Sequence, residues 1–211
     1  MKILLFGGGF DPTHRGHIET SLFVRDERGY DKLIFVPTGT SPHKQNKKKT
    51  DAATRIELLR RSIEGISGVD IETFETEQTG VVYFWQTLQL TVLKYTGAEL
   101  GFLIGSDWIS KLDRWRNWRY IKSVAKPICM VRPGYVPEDT AKYATTDIIN
   151  VPVLPISSTA LREKLALGLY EDELVQKWIM PKALELIREK SLYLDPSAMV
   201  YQRVADRSDS V

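Results

Sequence analysis

The densest chemistry in the chain lies near its start, in Gly7-Gly8-Gly9-Phe10-Asp11-Pro12-Thr13-His14-Arg15-Gly16-His17. A short apolar run leads into the glycines and a helical pattern follows, so the segment reads as strand, turn and helix. Glycines at such a turn let a phosphate approach the backbone, and the helix start offers unpaired N–H groups and partial positive charge. His14 and His17 are two of the chain's three histidines, and their spacing puts both on one side of the first helical turn. Imidazoles there can donate hydrogen bonds to phosphate oxygens and stabilise charge developing at phosphorus. The dinucleotide fingerprint G-x-G-x-x-G does not fit: Gly7 and Gly9 match, but Pro12 takes the third glycine position and no strand-end acid follows at the usual spacing. A second constellation is Ile156-Ser157-Ser158-Thr159-Ala160-Leu161-Arg162. It reads as a hydroxyl-rich helix start with an arginine in the first turn, able to hold a triphosphate through Ser157, Ser158, Thr159 and the Arg162 fork. Taken alone it reads better as a capped helix with a solvated arginine; the paired N-terminal motif reverses that.

Positioning these groups calls for a sheet with helices around it. Short apolar runs alternate with amphipathic stretches, the pattern of a parallel sheet covered by helices. Strands are expected at Ile3–Phe6, Leu33–Val36, Val69–Ile71, Leu100–Ile104, Ile128–Val131 and Val153–Leu154. Helices are expected near Gly16–Asp26, Ala52–Ile63, Phe84–Tyr95, Trp118–Val124, Thr159–Leu167 and Lys182–Glu189. The second aligns Ile56, Leu59 and Ile63 on one face, with Asp51 as its N-cap. Breakers such as Pro37-Thr38-Gly39, Gly80, Pro127 and Pro133-Gly134 mark the connections. The fold class expected is α/β, a doubly wound Rossmann-like parallel sheet with a small C-terminal helical part. Residues 1–194 form one domain on this reading, its helical part about 156–194, and 195–211 form a peripheral tail without hydrophobic periodicity.

Composition narrows the classes. A chain of 211 residues, 43% hydrophobic and 27% charged, can bury a real core. The formal net charge of +2 argues against holding duplex nucleic acid by charge. The single cysteine, Cys129, cannot form an internal disulfide and suits a reducing compartment. The apolar run at the N-terminus is too short for a signal peptide or membrane span, so a cytoplasmic, soluble protein is expected. Lysines at 44, 47, 48 and 49 read as a solvated loop, Lys44 excepted, and Trp85, Trp108 and Trp178 as packing.

The first run resembles the (H/T)xGH signature of the nucleotidyltransferase superfamily, and Ile156–Arg162 resembles its ISSTxxR. Further segments resemble the bacterial nicotinate-mononucleotide adenylyltransferases: Pro37–Lys44 is similar to their PxGxPPHK loop, Ile104–Asp107 to IGxD, Trp115–Trp118 to WxxW, Val131–Tyr135 to (R/V)RPGY, and Leu192-Tyr193 to the terminal LY. The motifs stand in the family's order over roughly residues 1–194. The resemblance implies ATP and a pyridine mononucleotide as substrates, with Mg²⁺ accompanying ATP and no protein metal site. It implies His14, His17 and Arg162 as catalytic residues, and Gly8, Gly9, Phe10, Gly105, Asp107, Ser157, Ser158 and Thr159 as ATP-binding. Lys44, Phe84, Thr87, Trp115, Arg116 and Arg132 would bind the mononucleotide. No nucleic-acid or membrane partner is implied, and homo-oligomerisation is left open. Two departures concern the site: Gly9 stands where the family usually has serine, and Val82-Tyr83-Phe84-Trp85-Gln86-Thr87-Leu88 replaces SYTxDTL. The substrate the resemblance implies is nicotinate mononucleotide, with nicotinamide mononucleotide as the alternative; the alternative of another class is a non-catalytic nucleotide sensor or an RNA-binding relative.

Overall fold

The computed structural model describes residues 1–39, 50–131, 146–152 and 154–198. Six strands form one sheet: β1 (Lys2–Gly8), β2 (Lys32–Pro37), β3 (Val69–Ile71), β4 (Glu99–Gly105), β5 (Ala125–Val131) and β6 (Asp147–Asn150). They lie in the order β3-β2-β1-β4-β5-β6 and every pairing is parallel. The helices are α1 (Arg15–Glu27), α2 (Ala52–Ile63), α3 (Phe74–Glu77), α4 (Phe84–Lys94), α5 (Ser106–Ile109), α6 (Trp118–Val124), α7 (Ser158–Ala166), α8 (Glu173–Trp178) and α9 (Pro181–Glu189), with a 3₁₀ turn at Leu112–Arg114. This is the doubly wound α/β fold, whose strand order reverses between β1 and β4; ligands of such sheets gather beyond the strand ends at that point.

The chain divides into two compact units. The first comprises the described residues within Met1–Gly9, Glu19–Lys48 and Gly65–Val153, and holds the whole sheet. Ile3, Leu4 and Leu5 are all fully buried, so β1 has apolar cover on both faces and reads in sequence as an unbroken run rather than an alternation. Ile3, Leu5, Ile34, Phe102 and Ile104 share one core cluster with Leu88 of α4 and Ile121 of α6. The second unit comprises the described residues within Phe10–Ile18, Lys49–Glu64 and Leu154–Val211. Its core joins Leu58 of α2, Leu161 and Leu165 of α7, Val175 and Trp178 of α8, and Leu184 and Ile187 of α9. Asp51 caps α2 as expected, accepting from the Thr54 N–H at 2.9 Å, and Ser157 caps α7, accepting from Ala160 N–H at 3.2 Å.

Two strand assignments change. The sixth strand is Asp147–Asn150, where β-branched Ile148 and Ile149 pair with Cys129 and Met130. Leu154 belongs to no strand, lying just before Pro155, and Val153 is outside the described residues. β5 begins at Ala125 and runs through Pro127, which lies opposite Phe102 of β4. Pairing with β6 starts only at Ile128, so the missing proline N–H interrupts no ladder on that side. Four short turns of helix, at α3, α5, α8 and Leu112–Arg114, are too brief to show a hydrophobic period.

Leu161 is the residue through which the second core holds α7 in place, and it is fully buried. Leu161→Ala is expected to cost about 2–5 kcal/mol in denaturant unfolding, as buried leucines do.

Candidate active site

The histidine turn follows the glycines at the end of β1. Phe10 has a left-handed backbone, φ 46°, a conformation that costs a bulky residue about 1–3 kcal/mol. Its ring is buried and meets His17 edge-on, centroids 5.2 Å apart. His14 precedes α1, its carbonyl accepting from the His17 N–H at 2.9 Å. The two imidazoles stack, with centroids 3.7 Å apart and planes inclined by 23°. The His14 backbone N–H donates to His17 Nδ1 at 3.4 Å, which leaves the proton of a neutral ring on Nε2. Burial lowers His14 to about 4. Burial, and then the neighbouring His14, hold His17 well below the usual histidine value. Both rings are therefore neutral at pH 7 and act as N–H donors without carrying charge. Thr13 Oγ1 and His14 Nδ1 are buried polar atoms with no hydrogen-bond partner among the described residues.

Gly16 is what lets this turn close. A Cβ there would lie 2.9 Å from His14 Nδ1 and 2.9 Å from Ile156 Cγ2, inside van der Waals contact. The second motif thus packs directly on the first. Ser158 Oγ donates to the Pro12 carbonyl at 3.0 Å. Arg162 Nη1 donates to the Asp11 carbonyl at 2.6 Å, and its Nη2 donates to Thr159 Oγ1 at 3.2 Å. Residues about 150 positions apart are thereby tied by two hydrogen bonds and one close contact, while the Arg162–Thr159 bond fixes the guanidinium within α7.

Asp11 fastens the turn on its other side. Its carboxylate accepts from Tyr193 Oη at 2.9 Å and from the Thr50 N–H at 3.3 Å. Arg55, a buried cation, donates from Nε to the Thr50 carbonyl at 3.0 Å. Burial lowers its guanidinium below the ordinary value, while Asp11's negative charge opposes that. Burial, and then the charge of Asp11, push the Tyr193 phenol up. Asp11, Arg55 and the part of Tyr193 were not singled out from sequence. Asp11 sits inside the motif, but nothing in the linear order points to Thr50 or Tyr193 as its partners.

The other unit carries a second set. β1 and β4 end side by side at Gly8 and Gly105. Gly9 has open space where a Cβ would stand, so a serine would fit there. Asp107 lies exposed in the first turn of α5, its Oδ1 packed so close that a Cβ on Gly105 would be 2.8 Å away. Phe84 opens α4 and meets Trp115 edge-on at 5.6 Å and Phe102 at 5.0 Å. Trp108 meets Trp115 at 6.0 Å, and the Arg116 guanidinium lies over the Tyr83 ring at 4.7 Å. Gln86 Oε1 accepts from the Tyr83 N–H at 2.9 Å, so that side chain is engaged in capping α4. Thr87 is fully buried and donates to Glu75 Oε1 at 3.0 Å. Cys129 is buried, and burial raises its thiol to about 11, with Asp107's charge adding.

One unit thus brings together Phe10, His14, His17, Ser157, Ser158, Thr159 and Arg162. The other holds Gly8, Gly9, Gly105, Asp107, Phe84, Thr87, Trp115 and Arg116; Lys44 and Arg132 lie outside the described residues. A family model for cytidylyltransferase-like proteins matches residues 5–164, a span containing both motifs. The chain belongs to the cytidylyltransferase-like family. As such it is a nucleotidyltransferase. The nicotinate-nucleotide adenylyltransferase of Bacillus subtilis (strain 168) is 32% identical over 193 residues, 91% of this chain and 98% of that one. The nicotinic acid mononucleotide adenylyltransferase of Plasmodium falciparum complexed with NaAD has the same fold, with a TM-score of 0.72 at 19% identity, covering 91% of this chain and 97% of that one. The same Plasmodium enzyme complexed with APC gives 0.69 at 20% identity, covering 91% and 96%.

In this nucleotidyltransferase the motif glycine is a packing requirement. Gly16→Ala must push aside either the His14 ring or Ile156. It is expected to cost about 1–3 kcal/mol of stability, as overpacking does, and to lower turnover in the same variant; wild-type values for both would contradict the geometry.

Proposed function

We propose that the enzyme transfers AMP from ATP to nicotinate mononucleotide, releasing pyrophosphate and forming nicotinate adenine dinucleotide. The observation that carries this reading is the stacked, neutral His14–His17 pair tied to the Ser158–Arg162 start of α7. The unpartnered Thr13 Oγ1 and His14 Nδ1 support it, since a buried polar atom left without a partner costs about 1–3 kcal/mol unless a ligand meets it. Membership of the family and the name of the Bacillus relative support the choice of substrates.

The nucleophile is supplied by the mononucleotide, whose 5′-phosphate is ionised near neutral pH. One of its oxygens attacks the α-phosphorus of ATP while the bond from that phosphorus to the α,β-bridging oxygen breaks, and the β- and γ-phosphates leave together as pyrophosphate. Catalysis then reduces to alignment and charge stabilisation. His14 and His17 donate to the ATP phosphates, while Ser157, Ser158, Thr159 and Arg162 hold the β/γ end. Gly8, Gly9 and Phe10 bring backbone close to the phosphates, and Gly105 and Asp107 meet the adenosine. Trp115 stacks on the pyridine ring, and backbone N–H groups at Phe84 and Arg116 read the carboxylate. Thr87 supports the first turn of α4 from beneath, and Lys44 and Arg132 contact the mononucleotide. Mg²⁺ on the triphosphate would neutralise charge on the departing pyrophosphate. Its ligands would be phosphate oxygens and water, as suits a small hard cation; among the described residues no three His, Cys, Asp or Glu are grouped to hold a metal. The enzyme would work in the cytoplasm, a reading supported by its single buried cysteine; no described helix is long and apolar enough to cross a membrane.

Preference for the acid over the amide is supported by α4, whose first turn contains no acidic residue, so its partial positive charge is free for an anionic base. The test is pyrophosphate release from ATP and Mg²⁺ with each mononucleotide. Nicotinate mononucleotide should win by about 10- to 100-fold in kcat/KM, the worth of hydrogen bonds to a charged acceptor; equal values would sink the preference. His17→Ala should lower kcat by about 10²–10³, and Arg162→Lys, which keeps charge but loses the fork, should raise KM for ATP and leave that for the mononucleotide little changed.

A further inference from the structure

We infer that Glu75 sets how strongly the site distinguishes nicotinate from nicotinamide mononucleotide, as a positioning residue that acts through Thr87 on the first turn of α4. The inference rests on the function proposed above and concerns a residue that reading does not use.

Glu75 is the only acidic residue among the buried side chains described. It lies in α3, and its Oε1 takes the Thr87 hydroxyl at 3.0 Å. The loop after β2 packs on the same turn: a Cβ on Gly39 would collide with the Glu75 carbonyl. The neighbouring acids are engaged elsewhere, Glu72 with Lys94 and the Phe74 N–H, Glu77 with Thr73. Along the face of α4 that holds it, Thr87 and Thr91 are buried and neutral. Burial pushes the carboxyl up to about 7, the Thr87 hydrogen bond pulling the other way.

Thr87 follows Phe84 by three positions, so the two share a helix face one turn apart. The Glu75 carboxyl, bonded to the Thr87 hydroxyl, therefore meets α4 at the end of its first turn, on the helix face that Phe84 begins. Protonated, it leaves the partial positive charge of the helix start to the substrate carboxylate. Ionised, it adds a second anion to the same helix end, and the substrate carboxylate binds in its field. The carboxamide of the other mononucleotide carries no charge and is nearly indifferent. Acid-over-amide selectivity should fall as pH rises through 7.

The readout is the ratio of kcat/KM for the two mononucleotides from pH 6 to 8.5. Ionisation of the 5′-phosphate and of ATP is common to both and cancels in the ratio, and His14 and His17 stay neutral across this range. In the wild-type protein the ratio should fall about tenfold, the size of one partly screened interaction between two buried charges, with its midpoint near 7. In Glu75→Gln, which keeps the shape and the hydrogen bond, the ratio should be flat. A flat wild-type ratio, or an equal fall in the variant, overturns the inference while the activity stands. Turnover of neither mononucleotide removes the proposed function and this inference together. Thermal unfolding gives a second test that needs no turnover. The folded value lies above the ordinary 4.5, so the folded state holds the proton more tightly and loses stability as pH rises from 4.5 through 7. Glu75→Gln should accordingly melt higher than wild type at pH 8 and not at pH 4; identical shifts at both would overturn the inference.

Discussion

Two backbone carbonyls, those of Asp11 and Pro12, take hydrogen bonds from Arg162 and Ser158. Around this tie the unit that carries both motifs is arranged. It holds the buried loop between a strand and a helix as a fixed shelf, with the Asp11 side chain anchored to Tyr193 and Thr50. The left-handed Phe10 backbone persists only on such a shelf, because it is unfavourable by itself. The reach from Arg162 to Asp11 ties a helical segment late in the chain to the turn that follows its first strand.

The electrostatic division of labour follows from burial. His14 and His17 are desolvated side by side, so neither holds a proton cheaply and together they present neutral N–H donors. The cation of this set is Arg162, whose guanidinium is held on the Asp11 carbonyl and Thr159. On the function proposed above, a phosphate oxygen that gains charge in the transition state would meet fixed N–H dipoles and the Arg162 guanidinium. Cys129, the one thiol, is driven away from its reactive form by burial. Such an arrangement suits a direct transfer between two phosphates better than covalent relay through the protein.

Much of this was legible from sequence, and for identifiable reasons. The paired motifs announce themselves because glycines, histidines and hydroxyls are rare in such density, and β1, β2 and β4 are runs buried on both faces. The order of the strands was not readable, since parallel neighbours are set by crossovers and not by local pattern. β6 was misplaced because the Ile148-Ile149 pair is as short a signal as Val153-Leu154. Glu75 was hidden for a different reason: an acid in a four-residue helix looks solvated, and only its burial against Thr87 and Gly39 reveals otherwise. Asp11 likewise shows its worth only through partners at positions 50, 162 and 193.

The central claim is that AMP passes in one step from ATP to the mononucleotide phosphate, with histidines and Arg162 aligning the groups and no protein atom bonded to phosphorus. The most direct measurement is the stereochemical course at the α-phosphorus, using ATP carrying a chiral α-thiophosphate with nicotinate mononucleotide and analysing the configuration of the thio-dinucleotide formed. A single in-line displacement gives inversion, and that is the result expected. Retention would require an adenylyl-protein intermediate and would contradict the account.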